Sequence, residues 1–275
     1  MTEIDVAEML SRLPAQPVAA MLVLRLAEDP DTSPAELGRL VEMDPALSAR
    51  VMRLANSPHS GARGAVSSAS RAVLQLGFST VKGIAAAAAT SLLGDDVDLG
   101  PPDHWIHAVA VAAGASAASE LLGVPSNEAF SAGLLHDVGA LVLHRFDPAR
   151  YAQARADALR LTSAGALDHA ERAAFGTTHA DAGADALEIW RFPRSFVDAV
   201  RRHHAPPASG RPLAQAVVLG EAIAAQLEPL ALGEDQPRLE ATADALGLPT
   251  SACRTLTAQA TKEMAAIASF LGASR

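Results

Sequence analysis

The chain of 275 residues has one cysteine, one tyrosine and two tryptophans. A lone thiol, Cys253, excludes an internal disulfide framework and any cysteine-rich zinc site, and it suits a reducing compartment as a small core residue. Few rings are available for stacking. No apolar run is long enough to cross a bilayer: residues 83–93 are too few, and 107–123 is interrupted by His107 and Glu120. The opening residues carry Glu3 and Asp5 instead of a basic region before an apolar one, so no secretory signal is visible and a cytoplasmic protein without membrane contact is expected. A net charge of −9 argues against a general phosphate-backbone binder, which needs a basic stripe to displace counterions. Gly-rich phosphate loops, nucleophile elbows and His-Glu-x-x-His helices are also absent.

What the chain does have is alanine-dense, apolar sequence with few β-branched runs, which favours helix throughout. Hydrophobic content of 49% against 19% charged residues is that of a globular protein with a sizeable core. An all-α fold is expected. Ser33-Pro34-Ala35-Glu36 reads as a capping box opening a helix over 34–42, and Asp44-Pro45 repeats the device for the next helix. That second helix carries Ser48, Arg50, Arg53 and Asn56, so a helix-turn-helix reading with those four contacts on DNA is one alternative. Gly77 is placed as a helix C-cap, and the acidic, turn-rich stretch 94–102 as a boundary between two lobes. Arg71 and Lys82 read as surface charges, His59 as a loop residue, and His144 and His169 as surface residues.

The chemistry concentrates in 131–143, an apolar run of helix length with His136 and Asp137 side by side at its centre. Each polar group needs a partner there, because a buried unpaired one costs kilocalories. The candidates are Asp103 and His107, four apart on one helix face, with His179, His203, His204 and Glu221. Gly133 and Gly139 flank the doublet and allow close backbone approach. Imidazoles and carboxylates without thiolate suit iron, manganese or zinc, and the eight side chains offer donors for one or two divalent ions. Adjacent helical residues diverge by about 100°, so His136 and Asp137 share an ion only if it lies between them, and His203 and His204 serve different ions unless one turns away. The alternative is a hydrogen-bonded polar network within the core.

The order of His107, His136-Asp137 and a later acid, Glu221, resembles the ligand pattern of HD-superfamily metal-dependent phosphohydrolases. More narrowly, the chain resembles the HDOD family of bacterial signalling output domains. The resemblance rests on Asp44-Pro45-Ala46-Leu47 with Leu54-Ala55-Asn56-Ser57, then Leu76-Gly77, then 132–139, then Phe175-Gly176 to His179, Trp190 to Pro193 and His203-His204. It implies an N-terminal helical lobe (1–96) packed on an HD-type helical core (97–228), followed by a helical extension (229–275). It also implies a regulatory, non-catalytic module acting through signalling protein partners. The alternative is a phosphohydrolase with His136 and Asp137 as catalytic candidates and a nucleotide or cyclic dinucleotide as ligand. The related HD-GYP phosphodiesterases have lysine where this chain has Ala140, and Glu and Gly-Tyr-Pro elements where it has Ala205-Pro206-Pro207-Ala208. Glu221 stands where an aspartate is usual.

Overall fold

A computed structural model describes residues 31–56, 66–78, 104–161, 165–189, 192–227 and 239–272, with positions 23, 26, 27, 29, 80, 81, 84 and 85. Asp103, His59, Lys82, Trp190, most of the expected 79–93 helix and both expected domain boundaries lie outside them. Every regular element among the described residues is helical, in agreement with the expected all-α class. None of these helices is long and apolar enough to cross a membrane.

The first helices follow their caps. Ser33 and Glu36 exchange backbone and side-chain hydrogen bonds at the start of α1 (Pro34–Val41). Asp44 accepts the Leu47 N–H at the start of α2 (Pro45–Ala55). The α3 helix (Ala69–Leu76) closes on Gly77 at φ +76°, a conformation glycine adopts without steric cost. The recognition-helix reading of α2 is overturned at two of its four residues. Ser48 is buried and donates to Val41 O, and buried Asn56 donates to Met52 O and Val66 O while accepting the Val66 N–H. Neither side chain is left to read a base edge.

Next come α4 (His104–Ala118), α5 (Ser126–Leu135), α6 (Val138–Phe146), α7 (Pro148–Ala158), α8 (Ala166–Phe175), α9 (His179–Ile189), α10 (Arg194–Arg201), a 3-10 turn (Pro207–Ser209) and α11 (Pro212–Leu227). One reading is corrected here. Residues 131–143 form no single helix, because the chain turns at His136 and Asp137 between α5 and α6. Ser126 is the first residue of α5, and its hydroxyl bonds the Ser116 hydroxyl.

Small residues bring these helices close enough to share a site. A Cβ on Gly114 of α4 would stand 2.9 Å from the Gly220 backbone of α11, one residue before Glu221. A Cβ on Gly139 of α6 would collide with the His179 carbonyl and with Gly183 N, so α6 and α9 cross backbone to backbone. The main apolar core runs from Leu37, Leu47 and Met52 through Leu135, Val142 and Phe196 without a break. Ser131 on α5 donates to buried Glu42, and Ser67 donates to Glu128, tying the N-terminal helices to the rest. The last helices, α12 (Leu239–Ala245) and α13 (Thr250–Gly272), bury Leu239, Cys253 and Leu256 against α4 and α11.

Candidate metal centre

Three local devices aim the histidine rings. His136 follows the last residue of α5, and its Nδ1 lies 2.6 Å from Gly133 O. His203 stands two residues past the end of α10, with Nδ1 likewise 2.6 Å from a carbonyl three residues back, Val200 O. A carbonyl only accepts, so Nδ1 carries the proton in both rings and Nε2 presents its lone pair inward. The same bonds use carbonyls of the last helical turn, which lack the full set of intrahelical partners. His179 is the first residue of α9, and the carboxylate of Glu171 accepts both its backbone N–H and its Nδ1–H, each at 2.7 Å. Asp137 starts α6 without spending its carboxylate on the helix end, and so it too turns to the centre.

The inward atoms meet. His179 Nε2 is 3.2 Å from His203 Nε2 and 2.8 Å from His204 Nε2. Asp137 Oδ1 stands 3.5 Å from His136 Nε2, 3.5 Å from His179 Nε2 and 3.4 Å from His203 Nε2. Glu221 Oε1 approaches His136 Nε2 to 2.8 Å and His107 Nε2 to 3.6 Å, and Asp137 Oδ2 is 3.9 Å from His107 Nε2. Two of the triads the donors form, His107–His136–Glu221 and His179–His203–His204, share no residue; a third, His136–Asp137–His203, joins them, so that Asp137 reaches into both, and a fourth, Asp168–Glu171–His179, lies on the outer side of His179. His204 is the exposed member; the other rings are buried or nearly so. Of the eight residues read from sequence, seven converge and Asp103 lies outside the described residues.

The electrostatics show what the cluster wants. Burial disfavours the Asp137 carboxylate, yet His136, His179 and His203 hold its pKa well below the ordinary range. Burial likewise disfavours ionised Glu221, and His136 and His107 outweigh it. Burial opposes charge on His179, but Asp137 and the hydrogen bond to Glu171 raise its pKa to about 10. The carboxylates therefore stay ionised and demand positive charge at the nitrogens. His136 Nε2 and Asp137 Oδ1 are buried with no hydrogen-bond partner; the short approach of His136 to Glu221 is not aligned as one. Inward lone pairs facing one another and a carboxylate repel unless a proton or a cation sits among them. The donor set fits a divalent ion, and its nitrogen and oxygen chemistry is that of iron, manganese or zinc.

Two sequence expectations are corrected by this geometry. His136 and Asp137 do converge, because the helix break between them removes the 100° divergence of helical neighbours. His203 and His204 do not part, since both present Nε2 to His179. Sequence reasoning missed Glu171, which is fully buried. Its one signal was position: it stands four residues before Phe175 on the apolar stripe of α8, where a carboxylate is out of place. His169 is exposed as expected, whereas His144 is half-buried, its ring edge-on to Tyr151.

A helical chain with histidines and carboxylates gathered at the α5–α6 turn is of the HD class. Residues 13–206 match the HDOD domain model, and the chain belongs to that family. Among solved structures it is similar to the MmoQ response regulator of Methylococcus capsulatus str. Bath, at 30% identity and TM-score 0.70 over 90% of this chain and 98% of that one. A candidate signal transduction protein from Marinobacter aquaeolei VT8 is 26% identical at TM-score 0.56, covering 99% of this chain and 62% of its own. A Campylobacter jejuni virulence factor shares the fold at TM-score 0.67 and 16% identity, over 94% and 99% of the two chains. Comparison with curated proteins finds no match.

Proposed function

We propose that this HDOD protein is a regulatory module of bacterial signal transduction that holds one or two divalent ions in its core and acts through protein partners. The observation that carries the metal part is the convergence of His136, His179 and His203 Nε2 on Asp137 Oδ1 with no proton-donating partner aligned. The signalling part draws on family membership and the likeness to a response regulator. His107, His136 and Glu221 would hold one ion, His179, His203 and His204 the other, and Asp137 would touch both. Bound there, a divalent ion would offer Lewis-acid stabilisation to a phosphoryl group.

A second reading, phosphodiester hydrolysis in the same pocket with a nucleotide or cyclic dinucleotide as substrate, is favoured by the shared Asp137 and the exposed edge at His204. Against it stands Ala140, which packs with Leu143 and Tyr151 and brings no cation to the centre. Metal analysis of untagged protein, with hydrolysis assays on a generic phosphodiester and on cyclic dinucleotides, separates the readings. Near-stoichiometric metal without turnover is expected. Metal-dependent turnover abolished by His136→Ala and Asp137→Ala would replace the regulatory reading with the enzymatic one.

A further inference from the structure

The two triads are held differently. His107 and His136 face a carboxylate inside their own triad, Glu221, whereas His179, His203 and His204 form an all-imidazole set. The carboxylate behind that set is Glu171, on α8. It is fully buried, its Oε2 takes both N–H groups of His179 at 2.7 Å, and its Oε1 is buried with no hydrogen-bond partner. A carboxylate so placed is costly unless a positive charge lies one ring away.

We infer that Glu171 is the positioning residue of the triple-histidine subsite: it fixes His179 as the Nδ1–H tautomer, pins the ring at the start of α9 and turns Nε2 toward His203 and His204. This rests on the metal reading above. Glu171 touches no ion itself. Its effect passes through the imidazole, whose basicity a carboxylate on the far nitrogen raises. It therefore makes the two subsites unequal, strengthening one and leaving the other untouched. Asp168, with Oδ1 4.0 Å from His179 Nδ1 and partly exposed, is too distant to do the same.

The test titrates zinc and manganese into untagged full-length protein against a chromophoric chelator and reads stoichiometry and both affinities. In Glu171→Gln, which keeps the size and removes the charge, one ion is expected to bind as in wild type and the other about tenfold to a hundredfold more weakly. His204→Ala, at the exposed edge, is expected to weaken the same ion. Equal loss of both ions in Glu171→Gln, as a merely structural role would give, or no loss, overturns the inference. A wild type that takes up no ion overturns the metal reading and this inference with it. Should Glu171→Gln fail to fold, 15N-histidine spectra of the zinc-loaded wild type decide: His179 protonated at Nδ1 and ligated at Nε2 is expected, and ligation at Nδ1 overturns it.

Discussion

The N-terminal helices and the α5–α6 turn both bury polar side chains, and they do so in opposite ways. Around α2 the chain satisfies them itself: Asn56 makes three hydrogen bonds to backbone groups of 52 and 66, Ser48 bonds Val41 O, and Asp44 caps its helix. At the turn, the outer nitrogens of His136 and His203 are satisfied by backbone carbonyls and that of His179 by Glu171, but the inner nitrogens face one another and Asp137. A closed set of hydrogen bonds is a structural device. A half-closed set, with these outer atoms paired and the inner ones aimed at a common point, is a candidate socket for an ion.

The largest expected effect tests the crossing that holds the socket together. Gly139→Ala forces a methyl group into the His179 carbonyl and should destabilise the chain by about 3 kcal/mol or more, read by denaturant unfolding. A loss under about 1 kcal/mol would mean that α6 and α9 are not constrained by that contact. Next, His136→Ala should weaken zinc or manganese binding about a hundredfold, close to 3 kcal/mol, and should also lower metal-free stability, since it strips the buried Asp137 and Glu221 carboxylates of their nearest positive partner. Metal affinity unchanged in that variant would instead make the cluster a structural network like that around α2.

Asn56→Ala is the reverse case. It strands the Val66 N–H and carbonyl and should cost about 2 kcal/mol, the same with and without added metal. Metal-dependent loss would blur the distinction between the regions. The smallest effect concerns Glu42, 7% exposed between α1, α3, α5 and α13. Burial raises its pKa to about 7, against the Ser131 hydroxyl and the Ala69 backbone, with Glu263 raising and Arg39 lowering it further. The folded chain holds the proton up to about pH 7, while the unfolded chain releases it near 4.5. Its contribution to stability is therefore whole below that lower value and is lost as pH rises through about 7. Glu42→Gln should flatten the decline in unfolding free energy between about pH 5 and pH 8. An unchanged slope would show that Glu42 is ionised throughout.

Much of this could be read from the chain. The Ser33 and Asp44 caps, the Gly77 stop and the helical class follow from local rules, because a cap joins residues three apart and needs no distant partner. The ligand set was legible for another reason: imidazoles and carboxylates inside apolar text must be compensated by one another. Glu171 was not, since its helix is polar enough to pass for a solvated one and its place one turn before Phe175 was the one local mark of a buried face. The break at His136 and Asp137 was hidden by an unbroken apolar run without proline, which propensity reads as a single helix.

The sequence by itself determined which side chains carry chemistry, which stretches are helical and where several helices begin, since these depend on residue type and on neighbours within a turn. Tertiary structure alone decided that His203 and His204 face one ring, that Asp137 serves both triads, and that Glu171 stands behind His179. Those are distances of a few ångströms between residues that lie on different helices, and they are set by how closely helices cross at Gly139 and Gly220, which no local rule encodes.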